Sequence, residues 1–248
     1  MFFRNNKGII YALDCSGKDK LISELKETRD FDKLVAYKLG ALPLMSIDGG
    51  ISYVANLVRQ YTDLPIIYDH QKLFWASSED DDVFDIPPII AQDLNEAKIE
   101  AGIVLGIGND GELSWYKEHL KAFIEAFFEH DIIPIVVAHM TTPKYLRSEG
   151  GVTPDDVPEV SFKLAADMGV EYLVIPGNKP KYARHYVEML SNWVGNPNFL
   201  FPGFGKQGGN EEEIFGITEN KPTYLIVGPY DEINIKEYYK SLESRLLV

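Results

Sequence analysis

The stretch that decides the fold is Leu64-Pro65-Ile66-Ile67-Tyr68-Asp69-His70-Gln71-Lys72, a short apolar run that ends in charged side chains. Such a run is too short for an ordinary helix and is typical of a buried strand. Similar runs recur along the 248-residue chain, separated by longer amphipathic stretches. The sequence predicts eight strands, at Ile9–Leu13, Leu34–Leu39, Pro65–Tyr68, Gly102–Leu105, Ile132–Val137, Tyr172–Ile175, Phe199–Phe201 and Tyr224–Val227.

The stretches between the runs predict helices, most clearly at Trp115–His130, Val157–Met168 and Tyr182–Trp193, where apolar residues recur at helical spacing. Alternating strands and helices imply parallel strands with crossover helices. The strands are almost continuous in Val, Ile, Leu and Tyr, as expected when both faces are buried. Eight evenly spaced units favour one α/β domain over residues 1–248, a single (β/α)₈ TIM barrel, and the alternative is an open doubly wound sheet.

The composition limits which kinds of molecule the protein is expected to bind and where it is expected to act. The formal net charge is −14, and such a field repels nucleic acid and anionic membranes, although it allows a local pocket for a small anion. The single cysteine, Cys15, cannot form an intrachain disulfide, which favours a reducing compartment. The first six residues lack the apolar run of a signal peptide, and no run of about 18 apolar residues predicts a membrane span. We therefore expect a cytoplasmic protein.

Charged side chains lie at the ends of three consecutive strands, where barrel enzymes build their active sites. Asp14 follows the first strand and Lys38 lies within the second, while Asp69 and Lys72 end the third, with Asp85 beyond an acidic insert. A lysine inside an apolar strand is costly unless a carboxylate pairs with it. Each charge alone is typical of a structural ion pair, but three consecutive strand ends indicate a catalytic array.

Two long loops follow strands on the same side of the predicted barrel. The first is the insert at about residues 73–84, which contains Glu79-Asp80-Asp81-Asp82, and the second is Thr141–Asp155. Long loops in compact domains often serve as lids or binding loops. The acidic run is more typical of a solvated turn than of a calcium site, because it lacks the spacing of an EF-hand loop.

A glycine-rich loop, Pro202–Gly209, follows the seventh strand. It contains G-x-G-x-x-G, but only one strand follows it, so a dinucleotide-binding unit cannot be built around it. Loops after strands seven and eight of a barrel often bind phosphate through backbone N–H groups, which glycines allow to come close. We therefore interpret this loop as a phosphate site, and the alternative is a flexible turn.

In these segments the chain resembles the orotidine 5′-monophosphate (OMP) decarboxylase family. The loop after strand seven is the most specific of them, and the resemblance extends over nearly the whole chain. Weaker similarities lie at Met140-Thr141-Thr142-Pro143 and at Ile175–Pro180. The four main segments are Leu13-Asp14, Lys38, the array of Asp69, Lys72 and Asp85 with Ile86-Pro87 after it, and the P-G-x-G-x-Q-G-G loop Pro202–Gly209.

The chain departs from the family pattern in three places. The gap from Lys72 to Asp85 is much longer than in the family, which leaves Asp80, Asp81 and Asp82 as alternatives to Asp85, although Ile86-Pro87 and a predicted helix start favour Asp85. Two residues instead of one separate Asp69 from Lys72, as in some archaeal members, so the strand must end or bulge between them for both side chains to converge. The family's phosphate-binding arginine after strand eight is also missing, because this chain has Pro229 after Gly228. Lys206 and Lys179 are the candidates to replace it.

The resemblance implies decarboxylation of OMP to UMP in de novo pyrimidine biosynthesis, with no metal and no organic cofactor. Lys72 would stabilise the carbanion and protonate C6, Asp69 would lie near the substrate carboxylate, and Lys38 would hold Asp69 and Asp85. A homodimer is also implied, with Asp85 entering the neighbouring subunit's site. The implied substrate contacts are Asp14 for the ribose, Thr141 for the pyrimidine, Gln207, Gly208 and Gly209 for the phosphate, and Pro202 and Gly228.

Two other functions remain open at this point. One is a related barrel decarboxylase or aldolase that acts on a keto-sugar phosphate with a divalent metal, since such enzymes share an Asp-x-Lys array. The other is a non-catalytic paralogue that binds a nucleotide. The histidines are weaker candidates: His139 is interpreted as a satisfied core residue and His130 and His185 as surface residues on helices. His70 is interpreted either as a substrate contact or as a partner of the acidic loop. No pair of histidines has metal-ligand spacing.

Overall fold

The computed structural model describes residues 2–69, 86–106, 113–228 and 235–246. The strands are β1 (Lys7–Leu13), β2 (Leu34–Leu39), β3 (Ile66–Asp69), β4 (Ala101–Leu105), β5 (Ile133–Val137), β6 (Tyr172–Val174), β7 (Asn198–Phe201) and β8 (Thr223–Val227). The helices are α1 (Lys18–Thr28), α2 (Ala41–Ser46), α3 (Gly50–Arg59), α4 (Ile86–Glu96), α5 (Leu113–Glu129), α6 (Val157–Asp167), α7 (Pro180–Trp193), α8 (Glu211–Thr218) and α9 (Ile235–Leu246).

The strands form a closed barrel in sequence order, and β8 pairs with β1. Every pairing between neighbouring strands is parallel. The predicted (β/α)₈ barrel is therefore confirmed, and the open sheet is excluded. None of the helices in the described segments is long and apolar enough to span a membrane.

Side chains alternate between two apolar layers along each strand, because successive residues of a strand point to opposite faces. Ala12, Ala36 and Ile67 lie in the cluster inside the barrel, whereas Tyr11 and Tyr37 pack outward beneath the helices. At the N-terminal end of the barrel Phe3, 1% exposed, closes the interior and packs on Tyr172 and Tyr224.

The same alternation carries three charged side chains into the barrel. Lys38 is two residues after Ala36, Asp69 is two after Ile67 and Asp14 is two after Ala12, so all three continue the inward-facing series. Lys38 pairs in register with Ala12 on one side and with Ile67 on the other. The lysine therefore lies one layer below the two carboxylates, between the strands that carry them.

Candidate active site

A cavity of about 290 Å³ opens at the C-terminal end of the barrel. Its walls combine apolar strand residues with charged and polar residues from both strands and loops, and barrel enzymes build their active sites at this end. The lining residues are Ala12, Asp14, Lys38, Asp69, Ile103, Val137, His139, Met140, Thr141, Val174, Pro202, Gly203, Gln207, Ile226 and Gly228.

A buried ion pair lies in the wall of this cavity. Lys38 Nζ is 2.6 Å from Asp69 Oδ2 and 3.4 Å from each carboxylate oxygen of Asp14. The side chain of Asp69 is fully buried and that of Lys38 is 6% exposed, whereas that of Asp14 is 29% exposed. The structure thus brings together three residues that the sequence had singled out, and Asp14 is the one nearest to solvent.

Lys38 is held in its charged form. Burial alone would lower the pKa of a lysine, but the negative charges of Asp69 and Asp14 act in the opposite direction and raise the pKa of Lys38 above its ordinary value. The backbone also comes close here: a Cβ atom at Gly40 would collide with Asp14 Oδ1, so a larger residue would displace the Asp14 carboxylate.

Asp69 is the last residue of β3 that the structure describes. Lys72 and Asp85, the other two members of the predicted array, lie outside the described residues, and so do His70 and the insert at residues 73–84. Helix α4 is described from Ile86 onward, immediately after Asp85.

The glycine-rich loop contributes Pro202, Gly203 and Gln207 to the cavity wall. Gly208 and Gly209 do not line it, and their backbone N–H groups donate to Gly205 O (3.0 Å) and Gly203 O (2.9 Å) within the loop. Across the cavity Gly228 also lines the wall, while Pro229 lies outside the described residues. Lys206, the neighbour of Gln207, is exposed.

A second polar cluster lies on the opposite side of the cavity mouth, and sequence reasoning missed it. Lys179 Nζ is 2.8 Å from Glu149 Oε2 and 3.0 Å from His139 Nε2. The Nδ1 atom of His139 is 3.0 Å from the Tyr186 hydroxyl. His139 is therefore a buried residue with polar partners, as predicted, and its ring also lines the cavity.

Aromatic rings surround His139 and keep water away from it. Tyr145 stacks on the imidazole with 5.4 Å between ring centroids, and Tyr182 meets its edge at 4.7 Å. Burial and the nearby Lys179 ammonium lower the pKa of His139 to about 4. The ring is consequently neutral near pH 7.

The other sequence predictions that the structure describes concern Thr141, His185 and His130. Thr141 lines the cavity beside Met140, where the resemblance had placed a pyrimidine contact. His185 is exposed on α7, as predicted, whereas His130 lies just after α5 and is only partly exposed. Glu149 gave no signal in the sequence, since it lies in a loop that has no periodic pattern.

The sequence matches no protein-family model and no curated protein, but solved structures share its fold. An OMP decarboxylase from Methanocaldococcus jannaschii, complexed with the inhibitor BMP, covers 97% of this chain and 98% of its own at 20% identity, with a TM-score of 0.74. The enzyme from Sulfolobus solfataricus has 18% identity over 97% of this chain and 98% of its own, with a TM-score of 0.64.

The same barrel also occurs in an enzyme of another class. A type I 3-dehydroquinate dehydratase from Clostridium difficile matches 96% of this chain and 91% of its own at 12% identity, with a TM-score of 0.63. At these identities the likeness is one of fold, and function has to be argued from the site. The chain thus has the barrel fold of the OMP decarboxylases, archaeal ones included.

Proposed function

We propose that the protein is an OMP decarboxylase that converts OMP to UMP and CO₂ without metal or organic cofactor. The observation that carries the proposal is the buried Lys38–Asp69 ion pair in the cavity wall, with Asp14 beside it. A charged pair of this kind is costly to bury, so its place in the wall of an open cavity favours a role in chemistry. The fold shared with OMP decarboxylases supports the same assignment.

Lys72 is the proposed proton donor. Asp69 is the last described residue of β3, and the three residues that follow it up to Lys72 span at most about 11 Å of chain. The long side chain of Lys72 can cover the rest of the way to a substrate in the cavity. Asp85 is proposed to complete the array from the neighbouring subunit of a homodimer.

In the proposed reaction a proton replaces the carboxylate on C6. The bond between C6 and the carboxylate breaks, CO₂ leaves, and the electron pair remains on C6. The Lys72 ammonium stabilises this charge and then donates its proton to C6. Asp69, fixed by Lys38, faces the substrate carboxylate, and the repulsion between the two carboxylates is relieved when CO₂ departs.

The phosphate of the substrate is proposed to lie between the loops after β7 and β8. Gln207 lines the cavity there and can donate from its side chain, while Gly208 and Gly209 would have to exchange their present backbone partners. Proline has no N–H, so Pro229 offers neither a backbone donor nor the family's guanidinium. Lys206, next to Gln207, is the cation proposed to replace that arginine.

The proposed homodimer is supported by apolar side chains near the start of α4. Ile89 on α4 is 58% exposed, and Met45 on α2 is 78% exposed. Helix α3 contacts both α2 and α4, so the three helices form one side of the molecule. A second copy packed there would cover apolar surface and bring its Asp85 toward this cavity.

The deciding experiment is a spectrophotometric assay of the purified protein with OMP, in the presence and absence of a chelator. We expect UMP and CO₂ to form at the same rate in both. Loss of activity with chelator would instead favour the metal-dependent decarboxylase or aldolase, and UMP binding without turnover would favour the non-catalytic paralogue.

Two variants test the assigned roles. Lys72→Ala should abolish decarboxylation while the circular dichroism spectrum stays unchanged, and substantial residual activity would exclude Lys72 as the proton donor. Asp85→Ala should also be inactive. Mixing the two inactive variants should restore part of the activity if Asp85 acts across a dimer interface, because one of the two sites in a mixed dimer is then complete.

A further inference from the structure

One short segment, Gly177-Asn178-Lys179, connects the loops on both sides of β6. The Gly177 N–H donates to Pro202 O at 2.7 Å, which attaches the segment to the loop after β7. Asn178 Nδ2 donates to Thr141 O at 2.9 Å, and Lys179 reaches Glu149 and His139, all three in the loop after β5. The segment therefore holds two walls of the cavity in fixed relation.

We propose that Asn178 and Lys179 are positioning residues, which hold the loop after β5 so that Thr141 presents one fixed surface to the ligand. The inference rests on the proposed function, since it concerns the pyrimidine side of that site. It also assigns Lys179 a role different from phosphate binding.

Lys179 is suited to this positioning role because its charge is already paired with that of Glu149. Its side chain is 10% exposed and that of Glu149 is 13% exposed, so the ion pair is largely removed from solvent. The same Glu149 oxygen accepts from the backbone N–H groups of Leu146 (3.0 Å) and Tyr145 (3.3 Å). Glu149 thus closes a turn of the loop, and Lys179 attaches that turn to the start of α7.

The contact with His139 fixes the tautomer of the ring. An ammonium group has only donors, so Nε2, at 3.0 Å from Lys179 Nζ, accepts a hydrogen bond. Nδ1 then carries the proton and donates it to the Tyr186 hydroxyl at 3.0 Å. Glu149 Oε2 is also 3.2 Å from Nε2. Removal of the Lys179 charge would let the imidazole take up a second proton and pair with Glu149.

Asn178 acts nearer to the cavity, where the packing is tight. A Cβ atom at Gly203 would lie 3.0 Å from the Asn178 backbone nitrogen and 3.1 Å from Thr141 Cγ2. Gly203 has φ of 113°, which a side chain rarely allows. Thr141, Asn178 and Gly203 are therefore packed together, and the hydrogen bond from Asn178 sets the position of the Thr141 backbone.

The test compares two ligands that differ only in the phosphate. UMP and uridine are titrated by NMR into the wild type, Lys179→Met, Lys179→Arg and Lys144→Met, the last an exposed lysine of the same loop as a matched control. We expect Lys179→Met to weaken both ligands by a similar factor of about ten, equivalent to about 1.4 kcal/mol. Lys179→Arg should recover part of the loss, and Lys144→Met should bind like the wild type.

A loss confined to UMP would identify Lys179 as a phosphate ligand and would overturn the proposal, as would unchanged affinity for both ligands. Asn178→Leu provides a second variant that does not touch the ion pair. It removes the donor to Thr141 O while keeping a side chain of similar size and adding no charge, and we expect it to weaken UMP and uridine equally as well.

The nitrogen chemical shifts of His139 give a readout that needs no ligand. In the wild type at pH 6 we expect a neutral ring with the proton on Nδ1. In Lys179→Met we expect the ring to take up its second proton at a higher pH than in the wild type, because burial still lowers its pKa but the Lys179 charge no longer does. Identical titration of the His139 ring in both proteins would overturn the proposal. If the wild type binds neither UMP nor uridine, the proposed function fails, and the His139 signal still decides whether Lys179 fixes the loop.

Discussion

Two lysine–carboxylate pairs face each other across the cavity mouth, and they are built differently. The Lys38–Asp69 pair lies on adjacent strands, and its geometry is set by the register of the barrel. The Lys179–Glu149 pair joins two loops, and no strand register sets its geometry. The fold therefore sets the geometry of the Lys38–Asp69 pair, whereas the Lys179–Glu149 pair itself sets the conformation of its loop.

The two pairs also differ in how completely they are buried. Asp69 is fully buried, whereas Glu149 retains 13% exposure and receives two backbone N–H groups besides the lysine. A carboxylate with several donors and some access to water loses less when one partner is removed. This difference allows the contribution of each pair to be separated by mutation.

The largest expected effect is on the strand-borne pair. Lys38→Met should lower the free energy of unfolding by about 3–5 kcal/mol, because it removes the Lys38 charge from the buried Asp69 and from Asp14 beside it. Lys179→Met should cost less than half as much. Denaturant unfolding at pH 7 measures both, with Lys38→Met/Asp69→Leu as the control that removes both charges. Equal losses of unfolding free energy in Lys38→Met and Lys179→Met would show that the difference in burial between the two pairs does not affect stability.

The same contrast explains what the sequence could predict. The strands follow from short, almost continuous apolar runs, and the lysine and carboxylates at their ends could be singled out from the sequence alone. Glu149 lies in a loop turn, and its lysine is 30 residues away in another loop, so no local pattern connects them. Helix α2 was also missed, because six residues with Pro43 among them are too few to show a helical period.

The next effect concerns the loop-borne pair at acid pH. The pKa of His139 is lowered from 6.5 to about 4 in the folded protein, so the neutral ring stabilises the fold above pH 6.5. That contribution, about 3 kcal/mol for such a shift, is lost as the pH falls from 6.5 to 4. The groups that face the ring are Glu149, Asp155, Lys179, Tyr145, Tyr182 and Tyr186.

Unfolding free energies between pH 7 and pH 4 measure this contribution. His139→Phe should be less stable than the wild type at pH 7, since it loses two polar contacts, but its stability should fall less steeply with acid. Parallel pH profiles for the two proteins would contradict the assigned shift. Lys179→Met should flatten the profile in the same way, because His139 and Glu149 would then form their own pair.

The smallest expected effect is at Glu24, a buried carboxylate whose ion-pair partner is an exposed lysine, in contrast to Asp69 and Glu149. Glu24 on α1 is 4% exposed, and it forms an ion pair with Lys20 at 3.9 Å, whose side chain is 60% exposed. Burial raises the pKa of Glu24, so the ionised form opposes folding and stability is lost as the pH rises through that raised pKa. Glu24→Gln should stabilise the protein at pH 7 by about 1 kcal/mol.

The gain should disappear below pH 4, where Glu24 is protonated in both the folded and the unfolded states. Glu27→Gln, an exposed position on the same helix, is the matched control and should change the unfolding free energy little at any pH. Unfolding curves of the three proteins at pH 7 and at pH 3.5 provide the measurement. Destabilisation by Glu24→Gln at pH 7 would mean that neutral partners alone stabilise a buried carboxylate in this barrel. The buried lysines beside Asp69 and Glu149 would then be required for the chemistry of the site and not for the stability of the fold.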